Sequence, residues 1–111
     1  MQNLKVTKRL PEGIAGITIW PFGIYVLEKY VNNIHIKVHE NLHWEQQKEL
    51  PIIFYILYLT EWLIKLIIFG NPDVAYRNLA AEREANKYEN DPSYFLRRKR
   101  YNWLKYIFVQ P

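Results

Sequence analysis

The residues best suited to carry chemistry lie together in the segment His39-Glu40-Asn41-Leu42-His43, which is an HExxH pattern. On a helix, residues four apart lie on one face with their Cβ atoms about 5–6 Å apart, so both imidazoles can reach a single zinc ion. Glu40 lies about 100° around the helix from His39, beside an open coordination position rather than among the ligands. The pattern therefore predicts a zinc site in which Glu40 is the general base that takes a proton from metal-activated water, as in peptide-bond hydrolysis.

Two histidines leave this site one protein ligand short. The chain contains no cysteine, so the third ligand must be a nitrogen or oxygen donor. A helix predicted over about residues 72–90 places Glu82 on its apolar side, where a carboxylate is costly without a partner such as a metal. Glu82 is therefore the predicted third ligand, and Glu89, on the same face about two turns later, is the alternative. Glu84 falls on the opposite side of this helix and is expected at the surface together with Arg83.

A hydrolase also needs a group that stabilises the developing oxyanion. The residue types in this chain that can donate to an oxyanion near the predicted site are Tyr76, Arg77, Arg83 and His35. Gln46 follows His43 by three residues on the same helical face, so it can either line the site or face solvent.

The elements that position these residues are predicted from hydrophobic periodicity. Residues 14–38 contain short apolar runs, and residues 34–38 alternate with period two, which predicts a small antiparallel sheet. This interpretation places His35 on a strand. From about Val38 the period changes to that of a helix, which ends or kinks before Pro51. The predicted fold class is α+β, with a short N-terminal antiparallel sheet followed by three to four helices.

The helix predicted over about residues 72–90 has signals at both ends. Asn71 can cap it with Pro72 in its first turn, and the segment 90–92 contains a plausible stop. The aromatic residues that precede or begin this helix are predicted to lie in the core: Trp44, Tyr55, Tyr58, Trp62 and Tyr76.

The segment from Leu50 to Phe69 is apolar enough to span a bilayer by length alone. Glu61 and Lys65 interrupt it, and their cost in a membrane offsets most of the gain from its Leu, Ile and Phe residues. They are also spaced for a surface ion pair on a helix. We therefore expect a buried or half-buried helix here, with membrane contact through residues 50–69 as the alternative.

Composition and charge limit the remaining possibilities. The 111 residues are 50% hydrophobic and 23% charged, which suits one folded domain rather than a disordered chain. Residues 93–111 contain five basic and no acidic side chains in a segment that is also aromatic: Arg97, Arg98, Lys99, Arg100 and Lys105. We expect a terminal helix with one solvated basic face and one docked aromatic face, or a surface that attracts an anionic membrane or nucleic acid. No signal peptide is apparent, which favours a cytoplasmic or virion-associated protein.

The HExxH segment followed by Glu82-Arg83-Glu84-Ala85-Asn86 resembles the gluzincin branch of zinc metallopeptidases, whose pattern is HExxH on one helix and ExxA or ExxAD on a later one. The segments HENLHWEQQKEL and YRNLAAEREANKYEN, with the apolar helix between them, resemble small metallopeptidase-like proteins of Bacteroidetes and their phages. This likeness covers about residues 17–108. It implies a minimal zincin-like fold in which His39, His43 and Glu82 bind zinc and Glu40 is the base.

The resemblance also implies a peptide or protein substrate. The chain departs from the longer ExxAD pattern at Asn86, where that pattern often has aspartate. The alternative function is a non-enzymatic structural or binding protein, with a phage protein or a membrane as its partner, that keeps a zincin-like fold.

Overall fold

The computed structural model describes residues 1–107 and has an α+β architecture, in which a small sheet is followed by four α-helices. The strands are β1 (Leu4–Thr7), β2 (Gly16–Ile19) and β3 (Gly23–Leu27). The helices are α1 (Ile34–Glu49), α2 (Ile53–Phe69), α3 (Pro72–Arg77) and α4 (Ala80–Tyr88). Short 3-10 helices span Glu28–Tyr30, Pro92–Leu96 and Asn102–Tyr106. The predicted class, an N-terminal sheet followed by three to four helices, is confirmed.

The sheet is mixed rather than antiparallel. β3 is its central strand, with β1 on one side and β2 on the other. β2 pairs with β3 antiparallel, as predicted, whereas β1 runs parallel to β3 with Leu4 opposite Ile24. The prediction of a wholly antiparallel sheet is therefore wrong. The residues before position 14 have too few alternating apolar side chains to indicate a strand, so β1 depends on its pairing with β3 rather than on local pattern.

Helix α1 begins at Ile34, earlier than predicted, because Asn33 caps it. The Asn33 side chain accepts hydrogen bonds from the N–H groups of His35 at 2.9 Å and Ile36 at 3.1 Å, which satisfies two donors of the first turn. The strand predicted over residues 34–38 is wrong, and His35 lies exposed in the first helical turn. Asparagine is common both in turns between strands and at the start of helices, and here Asn33 begins a helix.

Helix α2 follows a sharp bend after Pro51 and ends at Gly70, which takes a left-handed conformation with φ of 67°. Only Phe54 and Glu61 are buried along its length, so the prediction of a buried or half-buried helix is wrong for most of it. None of the helices in residues 1–107 is by itself long and apolar enough for a membrane span, and α1 and α2 meet the length and composition criteria only as a pair bent by 112°.

The predicted helix over residues 72–90 is divided into α3 and α4. Asn71 caps α3 as predicted, because its side chain accepts from the N–H groups of Asp73 and Val74. The helix then breaks at Asn78, and Leu79 is extended. The Glu61 carboxylate of α2 accepts from the Ala80 N–H at 2.8 Å and so satisfies a donor at the start of α4. This contact between distant segments is not visible in local sequence, which explains the wrong prediction of one helix.

Two clusters of buried side chains connect the helices. One contains Phe54, Ala80, Ala81, Trp103 and Tyr106, and the other contains Val38, Leu42, Ala85 and Tyr94. The ring centroids of Trp103 and Phe54 are 5.3 Å apart, so the C-terminal segment packs on α2 near its N-terminal end. This segment docks through its aromatic side chains as expected, but as two 3-10 helices rather than one helix. Phe108, which also belongs to this aromatic segment, lies outside the described residues.

The aromatic residues predicted to form the core lie at its edges. Trp44, Tyr58 and Trp62 are half-buried, whereas Tyr55 and Tyr76 are exposed. Their predicted place is taken by the C-terminal residues Trp103 and Tyr106, because the C-terminal segment folds back over α2 and α4.

Candidate metal centre

Three metal-ligating side chains meet between α1 and α4. His39 Nε2 lies 3.2 Å from His43 Nε2. Glu82 Oε1 lies 3.3 Å from His39 Nε2, and Glu82 Oε2 lies 2.9 Å from His43 Nε2. The structure therefore brings the two histidines of the HExxH pattern together with the glutamate expected to join them.

These separations can be compared with the edges of a tetrahedral zinc site. Zinc bonds of about 2.0–2.1 Å to imidazole nitrogen and carboxylate oxygen give tetrahedral edges of about 3.3–3.4 Å. The two imidazole nitrogens are 3.2 Å apart, close to such an edge, but Glu82 faces His39 with one oxygen and His43 with the other. With one Glu82 oxygen as the ligand atom, the three atoms lie within 4.8 Å of one another, so the Glu82 side chain must move for all three to meet one ion. Two imidazoles and one carboxylate also leave the fourth tetrahedral position open, which is the donor set of catalytic rather than structural zinc sites.

The electrostatics of the cluster favour an ionised Glu82 beside a positive charge. Burial lowers the pKa of His43, but the charge of Glu82 and a hydrogen bond to it raise that pKa more, to about 10. Burial also raises the pKa of Glu82, yet the neighbouring imidazoles hold it well below its usual range. Glu82 is therefore an ionised carboxylate in a buried place, where an anion attracts a cation strongly.

Gln46 fixes which nitrogen of His43 faces the cluster. Its Nε2 donates to two groups that can only accept, the Ala81 carbonyl and Glu84 Oε1, each at 3.0 Å. Its Oε1 must then face His43, and it accepts from His43 Nδ1–H at 2.8 Å. With Nδ1–H held in this way, Nε2 is the nitrogen that faces His39 and Glu82, and a metal ion bound there would displace the second proton of His43. Sequence reasoning left Gln46 between the site and solvent, and the structure buries it completely.

Glu84 is held in turn by a buried cation. Arg98 Nη2 lies 2.9 Å from Glu84 Oε1, and the guanidinium also donates two hydrogen bonds to Glu49 at 3.0 Å each. Tyr94 and Asn102 donate to the other Glu84 oxygen. Burial raises the pKa of Glu84, but hydrogen bonds from Arg98 and Gln46 hold it below its usual range.

Two predictions fail at this ion pair. Glu84 was expected at the surface and is fully buried, and Arg98 was expected in an exposed basic cluster although its side chain is only 6% exposed. α4 is buried on both sides, because the C-terminal segment packs against the side that carries Glu84. The partners of Arg98 are 14 and 49 positions away, so no local pattern shows the pair.

Glu40, the predicted base, is buried on the side of α1 that faces β2. Thr18 of β2 is within hydrogen-bonding distance of it, with its hydroxyl 2.9 Å from Glu40 Oε1 and 2.9 Å from the Glu40 carbonyl oxygen. Gly16 gives the side chain its space, because a Cβ on Gly16 would lie 3.2 Å from Glu40 Cγ. The sheet therefore positions the carboxylate, which also acts electrostatically on His43.

A cleft of about 800 Å³ opens over the cluster and over Glu40. Residues 16–18 of β2 line one part of it, and aromatic residues from the helices, among them Tyr58, Trp62 and Tyr76, line another part. The Tyr58 hydroxyl donates to Glu82 Oε2 at 3.3 Å. Burial and the Glu82 charge raise the pKa values of both Tyr58 and Tyr76, so both phenols remain protonated donors.

Of the four residues considered for the oxyanion, only Tyr76 lines this cleft. Arg77 and His35 are exposed elsewhere, and Arg83 donates to the Tyr106 carbonyl. Tyr58 was missed because a tyrosine in an apolar helix is more often core than site. Tyr58 lies three residues before Glu61 and seven before Lys65, so it shares their helical face. Because that face points into the protein, the spacing could have identified Tyr58 as a site residue.

Glu89 and Asn86 border the site without joining the ligand cluster. Glu89 Oε1 lies 3.7 Å from His39 Nδ1, the nitrogen on the other side of the ring from the ligand atom. Glu89 can therefore orient His39 rather than replace Glu82. Asn86 lines the cleft. The amide side chain that contacts a histidine of the cluster directly is Gln46, which hydrogen-bonds to His43.

The chain was compared with known proteins, and no family model, curated protein or solved structure matches it. Any function inferred for it must therefore rest on the geometry of its own residues.

Proposed function

We propose that this chain is a zincin-like, zinc-dependent metallopeptidase. One observation carries the proposal: one ligand atom from each of His39, His43 and Glu82 lies within 4.8 Å of the other two, and the buried Glu40 carboxylate lines the same cleft. The order of the elements supports the fold, since the HExxH helix follows a small sheet and the glutamate helix comes later. The sequence resemblance to gluzincins is in accord with this order.

When bound by these residues, zinc would polarise a substrate carbonyl and lower the pKa of a water molecule toward neutrality. Glu40 would accept the proton of that water on one carboxylate oxygen, while Thr18 can hold the other oxygen by a hydrogen bond. Glu40 could then pass the proton to the leaving amine. His43 keeps its orientation throughout, because Gln46 holds its Nδ1–H.

The phenols of Tyr76 and Tyr58 are the candidates to stabilise negative charge on the substrate oxygen, and Tyr58 would turn its O–H from Glu82 to do so. Both are protonated at neutral pH and both face the cleft. A neutral donor suits this role, since it can strengthen its hydrogen bond as charge develops.

The form of the cleft supports a peptide as the substrate class. β2 pairs with β3 on one side only and is an edge strand of the sheet among residues 1–107. Its residues 16–18 line the cleft. An extended peptide can add to such an edge through main-chain hydrogen bonds, with its carbonyl directed toward the metal ligands.

The test compares three proteins: the unmodified chain, Glu40→Gln and Glu45→Gln. Glu45 lies on the same helix and is paired with Lys48 at the surface, so its substitution makes the same charge change away from the cleft. Each protein is incubated with zinc and a mixed peptide library, and cleavage is followed by mass spectrometry. We expect Glu40→Gln to bind zinc normally and to lose about 10²–10⁴-fold in cleavage rate, while Glu45→Gln is unchanged.

Equal cleavage by the unmodified protein and Glu40→Gln would contradict the proposal. Cleavage by neither protein would favour the second function, a non-enzymatic structural or binding protein, and would direct attention to a phage-protein partner.

A further inference from the structure

Helix α2 has its charged side chains on the inner side and its apolar side chains on the outer side, which is the reverse of an ordinary surface helix. Its two charged residues, Glu61 and Lys65, point into the protein, where Glu61 accepts from the Ala80 N–H and Lys65 donates to Glu61 and to the Asn78 carbonyl. The ion pair predicted at the surface therefore forms on the inner side. The outward half of α2 consequently carries no charge.

That outward half consists almost entirely of aliphatic side chains. We call the following eight residues, which are 36–84% exposed, the α2 apolar face: Ile53, Ile56, Leu57, Leu59, Leu63, Ile64, Ile67 and Ile68. Thr60 is the polar residue among them. Isolated exposed hydrophobic residues are normal on soluble proteins, but a contiguous face of this kind indicates an interaction site.

The chemistry of the face matches lipid better than protein. The centres of protein interfaces are rich in Tyr, Trp and Arg, and they usually contain one hydrogen bond for each 100–200 Å² or so. The α2 apolar face offers one hydroxyl and no aromatic, amide or charged group. The acyl boundary of a bilayer requires no such group, and a helix with one apolar side lies along it.

Exposed cations lie on the segments that pack against α2. Trp103 packs on Phe54 at the N-terminal end of α2, and exposed cations lie in the same C-terminal segment: Lys99, Arg100 and Lys105. Arg77 is exposed on α3, which packs along α2. Basic side chains beside an apolar helix face complement the headgroups of anionic lipids.

We propose that the α2 apolar face docks on the surface of an anionic lipid bilayer. The helix lies parallel to the surface, since its inner side packs against α3 and α4, and Lys99, Arg100 and Lys105 contact the headgroups. Arg98 takes no part, because it is buried. Tyr58 and Trp62 line the cleft from the opposite side of α2, so docking leaves the cleft on the side of the helix that faces away from the bilayer. The docking itself does not depend on zinc or on catalysis.

The test is flotation of the full chain with phosphatidylcholine vesicles that contain or lack phosphatidylglycerol, at low and high salt. We expect binding to the anionic vesicles, at least tenfold weaker for Ile67→Glu. The matched control is Phe22→Glu, which makes the same change at a 69% exposed residue outside α2. It should stay within about twofold of the unmodified protein. The double variant Lys99→Gln with Arg100→Gln should lose most of the salt dependence.

Because Ile67 is 84% exposed, Ile67→Glu should melt like the unmodified protein. Absence of binding to anionic vesicles, or equal loss in Ile67→Glu and Phe22→Glu, would overturn the proposal. A dimer in light scattering that Ile67→Glu abolishes, without vesicle binding, would show that a second copy covers the face. Salt-sensitive binding to a short DNA duplex but not to vesicles would make nucleic acid the partner, and it would also overturn the proposal.

Discussion

Replacing Gln46 with methionine tests whether the buried network behind His43 serves the metal site. Methionine has a similar volume, but it removes the acceptor for His43 Nδ1–H and both donations to the Ala81 carbonyl and Glu84. His43 is then free to rotate or to carry its proton on Nε2. Loss of the group that orients a histidine ligand typically weakens metal binding about 10–100-fold, which is about 1.4–2.7 kcal/mol.

The same substitution also lowers the stability of the fold. The Ala81 carbonyl loses its side-chain donor in a buried place, which costs about 1–3 kcal/mol. A change in stability alone would therefore not identify the role of Gln46.

Gln47→Met is the matched control for this loss. Gln47 is the next residue on α1, is also buried, and makes three comparable hydrogen bonds, to Trp20, Tyr55 and Thr18. None of these bonds involves a proposed ligand. Both variants should lose similar stability in urea unfolding, whereas only Gln46→Met should bind zinc more weakly in competition with a chelating dye. Equal zinc affinities in the two variants would refute the positioning role of Gln46.

Two further predictions concern the sheet edge and the start of α1. Gly16→Ala places a methyl group 3.2 Å from Glu40 Cγ, so we expect about a tenfold loss of peptide cleavage with unchanged zinc content. Retained cleavage would show that Glu40 does not depend on this space. Asn33→Ala removes the cap of α1 and should lower the free energy of unfolding by about 1 kcal/mol in urea titrations, whereas Asn32→Ala should have little effect. Equal losses would contradict the capping role.

The part of the site that could be predicted from sequence is the part encoded by helical spacing. His39 and His43 are four residues apart on α1, and this local geometry survives although the helix begins earlier than predicted. Glu82 was chosen from the phase of one long helix. That helix is broken, but α4 alone still directs Glu82 inward.

What could not be predicted depends on contacts between distant segments. The break before α4 involves Glu61 from α2, and the burial of Glu84 depends on Arg98 from the C-terminal segment. The outward apolar side of α2 follows from the same contacts, because Glu61 and Lys65 find their partners inside the protein. From hydrophobicity and charge alone, we expected the aliphatic side chains of α2 to be buried and Glu61 and Lys65 to lie at the surface. The start of α1 could not be predicted for a different reason: asparagine is common both in turns and as a helix cap, so Asn33 alone does not distinguish them.

The zinc-to-protein ratio of the purified chain tests the central claim most directly. With zinc supplied and excess removed, elemental analysis should give about one zinc per chain for the unmodified protein and for Glu89→Ala. The ratio should fall close to zero for His43→Ala and Glu82→Ala. A ratio near zero for the unmodified protein, or a full zinc content in Glu82→Ala with loss in Glu89→Ala, would contradict the ligand set of His39, His43 and Glu82.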